Sequence, residues 1–214
     1  MPAKSWITDT DETLCEVQGW LPTYAALCIS FLVFFVLLYS MSAPAAHKKI
    51  SQAQMHKQVI EMQAHAFNDI RAFIAQNDLA ADIKAVLQDA SITLRLPGEM
   101  LFAPGAEHIL PAGFHTLNQL KELFLTQNQQ TISIRGHTDN SPPPPGARFK
   151  DNWELSALRA MHIVRYLLTQ GIEPWRLTAT GLGDFEPLFP NTTENNRAQN
   201  RRIEFVLERR LGKE

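Results

Sequence analysis

Cysteine is nearly absent. Of 214 residues only Cys15 and Cys28 are cysteines, so everything after the first thirty residues lacks both a disulfide framework and a cysteine-based metal site. A charge imbalance is lacking too. The net charge is −2, and setting aside the first nineteen residues, which hold Lys4 against Asp9, Asp11, Glu12 and Glu16, leaves the remainder within one unit of neutrality. Nothing here attracts a nucleic acid or another polyelectrolyte. Glycine numbers only ten and forms no phosphate-cradling loop, no nucleophile is spaced with a base, and no metal-ligand spacing occurs. Enzyme chemistry, resident metals and cofactors are therefore not expected.

Charge is also missing from one long stretch. Between Val17 and Ala46 no residue is charged, and then His47, Lys48 and Lys49 follow. At about 1.5 Å per residue, a helix over 20–41 crosses the roughly 30 Å hydrocarbon core of a bilayer once. A cleaved leader is disfavoured, because the preceding tail is acidic and the apolar run exceeds the usual length. Thr23, Ala26 and Ser30 share one small or polar stripe, while Leu27, Phe31, Phe34, Phe35 and Leu38 supply bulk that suits lipid. Small residues let membrane helices approach closely, so the stripe fits a protein partner, although Ala and Ser are also tolerated anywhere in an anchor. Taken alone, Lys48, Lys49 and Lys57 after the span favour a cytoplasmic carboxyl-terminal part.

Residues 42–89 read as a linker containing a helix, since Met55, Val59, Met62, Phe67, Ile70 and Phe73 recur mostly at helical spacing. Pairing with a second copy is the favoured way to hide that stripe, with docking on the domain and lying on the membrane as alternatives. From residue 90 to 214 the pattern becomes α/β. "SITLRL" (91–96), "TISIRG" (131–136), "RLTATGLG" (176–183) and "RRIEFVLE" (201–208) predict strands, and 115–125 and 152–171 predict helices, with Asn152 as cap and Gly171 as stop. A mixed sheet of four strands with two or three helices on one face follows.

"GHTDN" (136–140) puts Asp139 on the loop at a strand's carboxyl end, and Arg159 falls two turns into the next helix. A fixed anion and a fixed cation facing one pocket suit a ligand with both an amine and a carboxylate. On spacing alone, an ordinary loop Asp and a surface Arg are the better account of them. "SPPPPGARFK" (141–150) is expected to be extended and to rim such a pocket, or, less favoured, to serve as a polyproline ligand.

These motifs, "GHTDN", "NWELSALRA" and "GLGDFEPLFPNTTENNRAQNRRIEFVL", resemble the OmpA-like peptidoglycan-binding domain over residues 90–210. The resemblance implies that Asp139 and Arg159 grip the diaminopimelate of the wall's peptide stem, that Asn152 and Leu155 accompany them, and that Arg201 and Arg202 form the closing motif of a binding module without catalysis. The span "WLPTYAALCISFLVFFVLLYSMS" resembles that of the MotB/PomB stator subunits. That resemblance implies a self-dimer inside a ring of five multi-span A subunits, a cytoplasmic amino terminus, a periplasmic domain beyond the bacterial inner membrane, and transport of H+ or Na+. It also implies that a segment after the span, here around 50–67, plugs the channel; a plain dimer-forming linker remains the alternative.

The family pattern reads threonine, aromatic, alanine, aspartate, and the aspartate falls on Ala26. Alanine exchanges no proton, Glu16 lies about 15 Å away along a helix, and Thr23 and Ser30 line a path without carrying charge. Transport is therefore expected to be disabled. A disabling substitution in a working stator is favoured over a natural member that lost transport or a static wall tether. What such a motor drives, flagellum, another envelope process or phage defence, is left open by the residues.

Overall fold

The computed structural model describes residues 10–88 and 90–209, with side chains described at 20–40 and in the body from 57 onward. The first nine residues of the expected tail and the last five of the expected 90–214 domain lie outside the described residues, as do the side chains of Lys48 and Lys49. Two compact units divide between His56 and Lys57.

In the first unit, helix α1 (Thr10–Gln76) contains an exposed apolar span, Trp20–Ser40, of 21 residues. That length suffices for one crossing. Thr23 turns its hydroxyl back on the helix and donates to the Trp20 carbonyl at 2.8 Å. Ala26 and Ser30 follow on the same face at intervals of three and four residues.

In the second unit the end of α1 is part of the domain. Val59, Gln63, Ala66, Ile70 and Ile74 are buried at helical spacing, and the last three join the common core. Docking on the domain, rather than the favoured self-pairing, covers this part of the stripe. The domain therefore begins well before residue 90. Gln63 fastens the helix by donating to the Ala90 carbonyl at 2.9 Å and accepting from Gln130 at 3.3 Å.

Five strands, one more than expected, form the sheet: β1 (Lys84–Gln88), β2 (Ser91–Pro97), β3 (Gln130–His137), β4 (Leu177–Gly183) and β5 (Arg202–Arg209). Their order is β1-β2-β5-β3-β4, antiparallel except for the parallel pair β3 and β4. Strand alternation sends Ile92, Leu94, Leu96, Ile132, Ile134, Ile203, Phe205 and Leu207 to one face. There they meet Leu117, Leu120 and Leu123 of α2 (Pro111–Thr126) and Ala160, Ile163 and Leu167 of α3 (Asn152–Thr169). The mixed sheet with helices on one face is as the sequence reading has it.

Helix α3 carries the candidate site, and two glycines bring it close to the sheet. A Cβ at Gly136 would lie 2.2 Å from the Ser156 carbonyl oxygen, and one at Gly181 2.6 Å from the Ala157 backbone nitrogen. Any larger residue pushes the helix off β3 and β4. Ser156 completes the join by accepting from the Gly183 amide at 2.9 Å. The cap of α3 is Asp151, not Asn152: its carboxylate accepts from the Glu154 amide at 2.8 Å, while Glu154 accepts from the Lys150 amide at 2.7 Å. This reciprocal arrangement resembles a capping box and frees Asn152 for other work.

Candidate functional site

Strand β3 ends at His137, and the next two residues, Thr138 and Asp139, are buried where the chain leaves the sheet. The Asp139 carboxylate is fixed at both oxygens. One accepts from the Ser141 amide at 2.9 Å, and the other from Arg201 at 2.6 Å. Burial pushes this carboxyl up, but Arg201 and the Ser141 contacts outweigh it and hold Asp139 below its ordinary range. Arg201 also donates to Glu194 at 2.8 Å, and these two acidic partners raise it against the effect of its own burial. Glu194 opens the short helix α4 (Glu194–Asn200), whose cap Thr193 accepts from the Asn196 amide. Both members of the Asp139–Arg201 pair thus stay charged at neutral pH.

Arg159 reaches the same place from α3. It is 5% exposed, donates through Nε to the Ala106 carbonyl at 2.8 Å and through Nη2 to the Ala103 carbonyl at 3.3 Å, and sits over the Phe102 ring at 5.1 Å. Among the described residues no carboxylate comes within ion-pair distance of it, and its Nη1 has no partner. Burial lowers its pKa to about 10, with Asp139 opposing only partly. A buried guanidinium without a carboxylate is costly unless an anion arrives.

Asp139, Asn152, Leu155, Arg159 and Arg201 all line one cavity of about 500 Å³. Asn152 serves it structurally by donating to the carbonyls of Asp139 at 3.1 Å and Ser141 at 2.8 Å, which holds the loop shut around the carboxylate. Leu155 supplies a buried apolar wall. Pro142, Pro143 and Pro144 form the rim, opposite Gly105. The arrangement presents an accepting anion, a donor-rich cation and an apolar wall together, a fit for a ligand bearing an ammonium and a carboxylate next to a short aliphatic stem.

Arg202 is elsewhere. It points to the other face of the sheet, where it donates to Glu204 at 2.8 Å and to the Glu186 carbonyl at 3.2 Å. Arg95 meets the same Glu204 oxygen at 3.0 Å. Strand alternation explains the split, since consecutive residues entering β5 face opposite ways. Arg202 belongs to the framework: burial raises Glu204, but His137 and Arg202 together bring it down to about 2.

The sequence reading missed several members of the site. Thr138 contributes a buried hydroxyl without a partner among the described residues. The 101–110 loop, closed by the Leu110 amide on the Leu101 carbonyl at 2.8 Å, supplies Phe102 and the two carbonyls that seat Arg159. Its signal was weak, because backbone acceptors leave no mark in a sequence. Glu194 was visible only as the residue seven before Arg201, two turns back on a helix the sequence reading did not predict. Glu107 and His108 of this loop and His162 of α3 come together outside the cavity's lining, a grouping that sequence spacing does not show.

Residues 101–201 match the OmpA family, and residues 11–63 match the membrane MotB of the proton-channel complex MotA/MotB. The crystal structure of a MotB-like protein from Desulfovibrio vulgaris is 50% identical, covers 74% of this chain and 98% of that one, and superposes with a TM-score of 0.71. The chain belongs to the MotB-like OmpA-domain family. This MotB-like chain is also similar to the cell wall anchor of the T6SS from Pseudomonas aeruginosa, 25% identical over 65% of this chain and 96% of that one, with a TM-score of 0.60. Motility protein B of Bacillus subtilis is 24% identical over 141 residues, 65% of this chain. The chain spans only about half of that protein's length, 54%.

Proposed function

We propose that this chain is the wall-gripping B subunit of a two-part, ion-driven rotary motor, with Ala26 standing where the motor needs an acid. The wall-binding half rests on one observation: Arg159 is buried in a cavity without a carboxylate partner. The stem of peptidoglycan offers what it lacks. A diaminopimelate end carries a carboxylate for Arg159 and an ammonium for Asp139, with Leu155 against its aliphatic stem. Asn152 and Arg201 position Asp139, and none of these groups performs chemistry.

The motor half rests on the span and on its match to membrane MotB. Thr23, Ala26 and Ser30 would face a ring of multi-span A subunits, five around a dimer of this chain. The amino terminus would lie in the cytoplasm and the domain in the periplasm, across the inner membrane. Residues 20–40 contain no acid, so neither H+ nor Na+ has a titrating carrier here, and transport through this chain is disabled.

A static tether between membrane and wall is the second reading, favoured by that missing acid and by the likeness to a wall anchor of a secretion system. Purification of the full chain from native membranes in mild detergent separates the two. The stator reading predicts a larger, multi-span protein co-purifying in molar excess. Recovery of this chain without such a partner leaves the tether.

A further inference from the structure

Beside the cavity, and outside its lining, two segments distant in sequence meet. Glu107 and His108 lie in the 101–110 loop that seats Arg159, and His162 stands on α3, three residues beyond Arg159 and on the same side of the helix. One ligand atom from each lies within 4.8 Å of the other two. Glu107 Oε1, the oxygen other than the buried Oε2, and the His108 Nε2 are 3.5 Å apart, and the two imidazole rings meet edge to face with centroids at 5.0 Å. Glu107 is the notable member. Its side chain is only 14% exposed, and Oε2 is buried without a hydrogen-bond partner among the described residues. A carboxylate oxygen in that position lacks a cation or a donor.

We infer that Glu107, His108 and His162 form a Zn2+ site. Two imidazoles and one carboxylate are a ligand set that zinc takes, with a fourth position left for water. Bonds of about 2.0–2.2 Å in a tetrahedron place ligand atoms roughly 3.3 Å apart. The Glu107–His108 edge is near that value, and the His108 side chain, 70% exposed, has solvent space in which to close the rest. Carboxylate-only sites suit Mg2+ or Ca2+, but two nitrogens do not. The bound ion staples the 103–108 segment to α3, and so fixes the carbonyls of Ala103 and Ala106 on which Arg159 rests. The site requires no assumption about what the cavity binds.

The test is a Zn2+ titration of the full chain in detergent, stripped with a chelator and read by competition with a chromophoric zinc indicator. The expected result is one Zn2+ per chain, with affinity at least tenfold lower in Glu107→Gln and in His162→Gln and unchanged in His115→Ala. At a hundredfold excess over the dissociation constant, zinc is expected to raise the unfolding midpoint of the parent chain by about 5 °C or more, and that of the two ligand variants by much less. Should either ligand variant fail to fold, the exposed His108→Ala decides by the same two readouts. No zinc bound by the parent chain, or equal affinity and equal stabilisation in folded ligand variants, overturns the site.

Discussion

Arg159→Ala is expected to abolish retention of the full chain on purified cell wall, with binding at least 100-fold weaker than that of the parent. Removing one partner of a buried, hydrogen-bonded charge pair costs about 2–5 kcal/mol, and the free cavity offers no second cation in that position. Asp139→Asn is expected to lose a similar amount, because the amide keeps the volume but no longer attracts an ammonium and frees Arg201 to repel it. Unfolding midpoints distinguish loss of grip from loss of fold. Arg159→Ala strands the carbonyls of Ala103 and Ala106 at a cost of roughly 1–3 kcal/mol, which a domain with this core survives. Arg159→Lys keeps the charge but not the planar fork, and is expected to fall between the two.

The same pair sets the pH range of the grip. Arg201 and Ser141 depress Asp139 despite its burial, so its carboxylate persists as pH falls and protonates only below the ordinary carboxylate range. Retention should stay flat through mild acid on this account. On the alkaline side burial has lowered Arg159 to about 10. The free cavity loses its cation near that pH, and retention falls with it.

Ala26→Asp is expected to turn ion flux on. In vesicles holding this chain and its multi-span partner, the parent should show no H+ or Na+ flux above background, because residues 20–40 carry no titrating acid. A carboxylate at 26 falls on the stripe with Thr23 and Ser30, and a buried membrane carboxylate exchanges a proton or ion readily when its pKa is raised by desolvation. The gain is from nothing to a measurable current. If neither form conducts, the span is an anchor and the static tether replaces the motor.

The helical and strand patterns and the span are legible because they depend on local periodicity, whereas spacing alone does not pair Asp139 with Arg159, which line one cavity and which only the family resemblance brings together. Strand β1 is not legible. At five residues, Lys84–Gln88, it lies on a sheet edge with no alternation of burial and gains its order from pairing with β2. The docked end of α1 reads as linker in the sequence because an apolar stripe does not name its partner. Arg201 and Arg202 are adjacent in sequence, yet the direction of β5 sends one to Asp139 and the other to Glu204. Asn152 looked like a cap, and the preceding Asp151 took that role because its extended backbone aims the carboxylate at the Glu154 amide. Long-range closure, 62 residues between Asp139 and Arg201, leaves no trace in spacing.

The most direct test is calorimetric titration of the full chain with a soluble wall peptide ending in diaminopimelate, in two forms that differ only in whether the terminal carboxylate is free or amidated. Seating of that carboxylate on Arg159 predicts binding of the free form, at least tenfold weaker binding of the amidated form, and no difference between the two in Arg159→Ala. Equal affinity of the parent chain for both forms would contradict the account, since Arg159 would then have no carboxylate to hold.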